Sequence, residues 1–179
     1  GEQGHYYRAL LEVIDHPVAL SLHVNSGYVP PPALLRELCV DYGQITAINV
    51  IGLPATYFVA LRDVLPDRIA FYTRLADAMT GLALGARGTL SAENNLAPHL
   101  CAAVLSRWSK GDISGAGEAL SNVLRLEAVV NRWAPSTARW IKMGFRVLDL
   151  PGGEGGLRPP YFMPALEALS EMKVAFDEL

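Results

Sequence analysis

Cysteine and lysine are scarce in this chain. Its 179 residues hold two cysteines, Cys39 and Cys101, each in an apolar helical context without Cys-x-x-Cys spacing or a histidine at metal-ligand spacing. That excludes a disulfide framework or a zinc site of the usual pattern and leaves two buried, reduced thiols as the expectation. His5, His16 and His99 show no ligand spacing, so no metal is expected. The lysines are Lys110, Lys142 and Lys173, none of them in a run that reads as a strand. Positive charge is short overall: with a net charge of −3 and a pI near 5.8, no basic field draws phosphate backbones or acidic membranes, and nucleic acid is not an expected partner. No stretch approaches the roughly 18 unbroken apolar residues of a membrane span, and no basic, then apolar, leader opens the chain. A cytoplasmic protein is the expectation. Gly152-Gly153-Glu154-Gly155-Gly156 lacks a preceding strand and a following Gly-Lys-Ser/Thr, so it reads as a flexible connector and not a phosphate loop.

What the chain does have is apolar residues, 51% of the total against 18% charged, the composition of an ordinary folded domain. Val18 to Leu22 reads as a strand buried on both sides. Pro30-Pro31-Pro32 opens a helix with Leu34, Leu35, Leu38 and Cys39 on one face, ended by Tyr42-Gly43 before a second strand, Ile45 to Ile51. A helix from Pro54 to Val64, a strand from Ile69 to Tyr72, a helix from Asp77 to Leu84 and a strand from Thr89 to Ser91 follow. Strands alternating with helices of about ten residues indicate parallel strands joined by right-handed crossovers, in a barrel or a doubly wound sheet. The rest is helical: Pro98 to Trp108, a break at Lys110-Gly111-Asp112, a longer helix with Ala116, Leu120, Val123 and Leu124 on one face, and a last helix from Pro164. The expected division is residues 1–109 and a helical extension, 110–179.

One run is more specific than periodicity. From Leu82 to Pro98, Leu84-Gly85-Ala86 ends a helix, Gly88 starts a strand, and Asn94-Asn95-Leu96-Ala97-Pro98 turns into the next helix. Gly85 suits the left-handed conformation that stops a helix, Gly88 allows close approach, and Pro98 fits a first turn. This run resembles the last βα unit of the dihydrodipicolinate synthase and N-acetylneuraminate lyase family. In the tail, Ala134-Pro135-Ser136, Met143-Gly144-Phe145 and Arg158-Pro159-Pro160 are similar to the family's helical C-terminal segment. The resemblance implies an α/β fold, a TIM-type β/α barrel of which this chain carries the second half, about four βα units, followed by a helical tail. A closed barrel takes about 250 residues, and four strands leave two open edges. A second chain or an N-terminal half completing the barrel, and an oligomer, are therefore expected.

The resemblance also implies a chemistry that these residues do not supply. The family's lysine, within Gly-Ile-Lys-Glu, forms a Schiff base with a 2-keto acid; here the stretch is Ala47-Ile48-Asn49-Val50, and an amide nitrogen forms no imine. Ser21, within Leu20 to Gly27, stands nearest the place of the family's proton-relaying tyrosine, and Tyr72-Thr73-Arg74-Leu75 replaces its Ser-Gly-Asp-Asp. A pocket at the strand ends would gather Ser21, His23 as a base, Asn49 on an oxyanion, and Arg74 against a carboxylate. Tyr72, Thr73, Leu90, Ser91 and Asn94 would complete it. The expected function is that of a degenerate or partial family member, lacking Schiff-base lyase activity and acting as a binding or partner subunit, with a small 2-keto acid as ligand and no cofactor. The alternative is a lyase or aldolase acting on a 2-keto acid with groups supplied by missing residues or a partner chain.

Overall fold

The computed structural model describes residues 1–133 and 137–178. They form two compact units, Gly1–Leu90 and Ser91–Leu179. The first opens with helix α1 (Glu2–Leu11) and then alternates β1 (Val18–His23), α2 (Pro32–Asp41), β2 (Ile45–Ile51), α3 (Ala55–Val64), β3 (Ala70–Thr73), α4 (Ala78–Ala83) and β4 (Gly88–Thr89). The strands make one parallel sheet in the order β1-β2-β3-β4. Each neighbour in sequence is a neighbour in space, as short βαβ connections favour.

Side-chain alternation divides the sheet into two faces. Leu20, Leu22, Ile48, Val50 and Phe71 join Leu35, Leu38 and Cys39 of α2 and Phe58 and Leu61 of α3 in one core. That is the helix-covered face. Arg68 reinforces it by donating to the carbonyls of Cys39 and Ile45, joining the end of α2 to the start of β2. The opposite face carries Ala19 and Ser21 of β1, Ala47 and Asn49 of β2, Ala70 and Tyr72 of β3, and Gly88 of β4.

Helix α1 has no counterpart in the sequence reading, because its start carries no capping side chain and its apolar residues lie on two sides. Leu11 is buried in the sheet's core, and Gly4 lies so close to α2 that a Cβ would meet Leu34 at 3.3 Å. Tyr6, Leu10 and Val13, by contrast, are exposed.

The second unit begins with a 3-10 turn, Ala92–Asn95, followed by α5 (Pro98–Ser109), α6 (Ile113–Trp133), α7 (Thr137–Val147) and α8 (Leu166–Asp177). Gly111 at φ +77° and the Asp112 carboxylate, which accepts from the Gly115 N–H at 2.9 Å, turn the chain between α5 and α6. Whereas the sequence reading divides the chain at 109–110, contacts divide it at Leu90–Ser91, with α5 packed along α6 in the second unit. Leu96, Leu126, Val130, Trp140, Met143, Leu169 and Met172 form its core. Ala134-Pro135-Ser136, which sequence likens to the family's loop, lies outside the described residues. The glycine cluster is tied down where a flexible connector was expected: Lys142 Nζ donates to the Gly152 carbonyl at 3.1 Å, and the Gly152 N–H donates to Glu154 Oε2 at 2.8 Å. Its own backbone N–H and then that of Gly152 hold the Glu154 carboxyl below its ordinary pKa.

Candidate functional site

The strand register aligns three of the candidate residues. Ser21 pairs with Asn49, Asn49 with Tyr72, and Tyr72 with Gly88, so one row crosses all four strands on the face away from the helices. Neighbouring strands lie about 4.8 Å apart, which puts Ser21 and Tyr72 on either side of Asn49 at the spacing of a small organic molecule. Gly88 lies beside the Tyr72 ring, which a Cβ there would meet at an ordinary contact distance of 3.6 Å.

Asn49 is the unusual member. It is only 4% exposed, and its Oδ1 has no hydrogen-bond partner. An acceptor withdrawn from water and left without a donor costs about 1–3 kcal/mol, and native structures rarely leave one so without a reason. The row is otherwise neutral, a hydroxyl on either side of an amide, and Ser21 is its exposed member.

The other candidates lie elsewhere or are already engaged. His23 stands at the end of β1, where its Nδ1 accepts from the Asn25 N–H at 3.0 Å, capping a 3-10 turn. Arg74 is bound to Asp77 through Nε at 2.7 Å and Nη2 at 3.4 Å, within the turn entering α4. Thr73 is one residue out of phase with Tyr72, so it points to the helix-covered face, is buried, and lies under Gly81 of α4. It lines a cavity of about 240 Å³ with Val50, Leu53, Phe58 and Asp77, on the side of the sheet opposite Asn49. Leu90 extends β4, donating its N–H to the Thr73 carbonyl at 2.9 Å, and its side chain is exposed. Ser91 and Asn94 belong to the second unit, where Ser91 Oγ donates to the Glu93 carboxylate and Asn94 Nδ2 to the Ser91 carbonyl at 3.2 Å.

No lysine stands on the sheet. Lys110 follows α5, Lys142 of α7 is held by the Gly152 carbonyl, and Lys173 of α8 pairs with Asp177 at 3.1 Å. Both cysteines are buried; burial pushes the Cys39 thiol up and the Cys101 thiol to about 11, helped for Cys101 by the charge of Glu93. Neither is a ready nucleophile. Among the described residues no three His, Cys, Asp or Glu side chains group as metal ligands, and no helix is long and apolar enough to cross a membrane. What sequence pattern missed is the orphaned Oδ1 itself; its one signal was an asparagine inside the apolar run Ile45 to Ile51.

Comparison with known proteins extends this picture. The model of the Dihydrodipicolinate synthetase family matches residues 2–178. An uncharacterized DapA-like lyase of Thermofilum pendens is 26% identical over 151 residues, a match covering 82% of this chain and 50% of the relative. The chain thus spans about half the length of the curated relative it matches. Among solved structures, dihydrodipicolinate synthase from Bacteroides thetaiotaomicron superimposes with a TM-score of 0.85 at 14% identity, covering 99% of this chain and 61% of that one. A prophage protein of the dihydrodipicolinic acid synthase family from E. coli K12, solved in complex with pyruvate, gives 0.83 at 18% identity, covering 98% of this chain and 60% of its own. At such identities these two likenesses speak to the fold.

Proposed function

The chain belongs to the Dihydrodipicolinate synthetase family, matched across residues 2–178, and from that premise we propose that it is a member without imine chemistry, acting as a binding or partner subunit. The observation that carries this reading is Asn49 in the middle of the row, at the place where the family resemblance expects the Schiff-base lysine. A primary amine attacks a keto carbon and loses water to give an imine; a carboxamide nitrogen, its lone pair delocalised into the carbonyl, does not. Ser21 beside it cannot replace the tyrosine's phenol as a proton relay of similar acidity. Groups left on this face hold a small acid by hydrogen bonds and do not bond to it covalently.

The same reading makes the four strands one half of a β/α barrel, closed by a further half supplied by a longer form of the chain or by a second chain. Its support is the sheet order, with β1 and β4 as edges, and the 60–61% of each solved neighbour that the chain covers. A second reading, a lyase or aldolase of 2-keto acids with groups from outside these residues, draws on the lyase name of the Thermofilum pendens relative and on the half of that relative left unmatched.

Incubation with pyruvate and borohydride, followed by intact-mass measurement of this chain and of any chain that copurifies with it, separates the two, since an adduct on a partner chain alone would favour the second reading. The mass of this chain is expected to stay unchanged. A reduced pyruvyl adduct on Lys110, Lys142 or Lys173 would overturn the proposal.

A further inference from the structure

We infer that the cavity between α3 and α4 is a binding site for a small uncharged molecule, an apolar body ending in one hydroxyl or carbonyl group that pairs with Thr73 Oγ1. It lies on the helix-covered side of the sheet and does not depend on the chemistry at Asn49. The floor of the cavity, of about 240 Å³, is formed where two strands end side by side, Val50 of β2 paired with Thr73 of β3. Thr73 is only 3% exposed. Its Oγ1 makes no hydrogen bond among the described residues, yet it is not sealed off as Asn49 Oδ1 is, and so it opens into the space that the residue lines. A hydroxyl both donates and accepts, so a ligand's hydroxyl or carbonyl satisfies it equally well.

The rest of the lining sets the ligand's chemistry. Leu53, Phe58 and Leu84 join Val50 as apolar walls. A water at the floor finds one side-chain partner there, where a buried water ordinarily has about three, and an apolar body gains by displacing water so poorly held. A dry cavity of roughly 150 Å³ takes benzene, so this one has room for a ring with a short polar substituent. Charge finds no free counter-charge. The one ionised side chain on the lining, Asp77, is already bonded to Arg74. It also repels any anion drawn to the first turn of α3, which opens at Ala55 without a side-chain cap. Burying an unpaired ion here is strongly unfavourable. A plain hydrocarbon, in turn, fills the walls and leaves Oγ1 without a partner.

Benzyl alcohol, toluene and benzoate share a ring and differ at one end. Each is titrated into the protein as isolated, together with any chain that copurifies, and followed by backbone amide NMR shifts. Benzyl alcohol and toluene are expected to saturate, with shifts centred on residues 50–58 and 73–84, and benzoate is expected not to bind. Thr73→Val replaces the hydroxyl by a methyl of similar size, and is expected to move the ratio of the two affinities on the order of tenfold towards toluene. Thr73→Ser keeps the hydroxyl and the original ratio. Site and charge selectivity are read on the unaltered protein, so the outcome does not hang on the valine variant folding. Shifts centred elsewhere, no saturable binding of benzyl alcohol, benzoate bound as tightly as the alcohol, or a ratio indifferent to Thr73→Val would each overturn the inference.

Discussion

At Asn49, stability and binding pull in opposite directions. Its buried, donorless Oδ1 costs about 1–3 kcal/mol in the empty chain, while leucine has a similar volume and no acceptor. Asn49→Leu is therefore expected to raise the unfolding free energy by about 1 kcal/mol, seen as a higher denaturant midpoint at unchanged slope. A lower midpoint would mean that the amide is satisfied in solution. Two other groups, one buried and one half-buried, contribute to the response to alkali. Burial raises the Tyr57 phenol, which donates to the Pro30 carbonyl at 2.6 Å, to about 12, and the Cys101 thiol to about 11. Both are acids whose neutral form the fold prefers, so the unfolded chain releases its protons first as pH rises. Their contribution is complete below the ordinary values of 9.0 and 10.0 and is lost between about 9 and about 12. The melting temperature is expected to hold from pH 7 to 9 and then fall, with Tyr57→Phe flattening the upper part of that decline.

Among the elements, the strands of the first unit were legible in the sequence because each is a short apolar run between a helix stop and a helix start. Gly85 does take φ +95°, and Pro98 does sit in the first turn of α5. What sequence could not supply was phase. A four-residue strand such as Ala70–Thr73 gives too little alternation to say which side chain faces which way, so Thr73 was grouped with Tyr72 until pairing with β2 put them on opposite faces. The contact boundary at Leu90–Ser91 was not legible for a similar reason, since the packing of α5 on α6 is a tertiary fact with no local signature. In the glycine cluster the sequence showed composition, while the structure shows which glycine is needed. A Cβ on Gly153 would meet the Phe145 carbonyl carbon and oxygen at 2.6 Å, backbone atoms that cannot rotate away, whereas one on Gly156 meets nothing within 4 Å. Gly153→Ala is expected to cost about 1–3 kcal/mol, the scale of overpacking, and Gly156→Ala almost nothing, by paired denaturant unfolding curves. Equal effects would show that the connector yields freely.

For the molecule as a whole, the sheet's edges matter more than its core. An edge strand offers a row of unpaired N–H and C=O groups, and proteins that remain monomeric guard such edges with charge, proline or a covering element. On β1 the exposed residues of the open face are Ala19 and Ser21, which carry no charge. Within the same unit, α1 exposes Tyr6 at 61% and Leu10 at 40%, four residues apart and so on one side of the helix, and the turn that follows it exposes Val13 at 80%. The opposite side of α1 is already spent on Leu11 and Gly4 against the core. A helix with apolar residues on two sides is made to be covered twice, and a β/α barrel covers such a helix by the preceding helix of its ring while pairing the adjacent strand. The 179-residue chain by itself is therefore expected to associate, with sedimentation velocity showing species above the monomer that grow with concentration. Leu10→Lys with Val13→Glu should shift that distribution towards monomer without changing the helical content, because neither side chain contributes to the core. Adding a first-half β/α segment from the same family should compete with self-association and raise the melting temperature through linkage. A chain that sediments as a single monomer at all concentrations and melts cooperatively would show instead that its edges are satisfied from within, and would remove the need for a completing half.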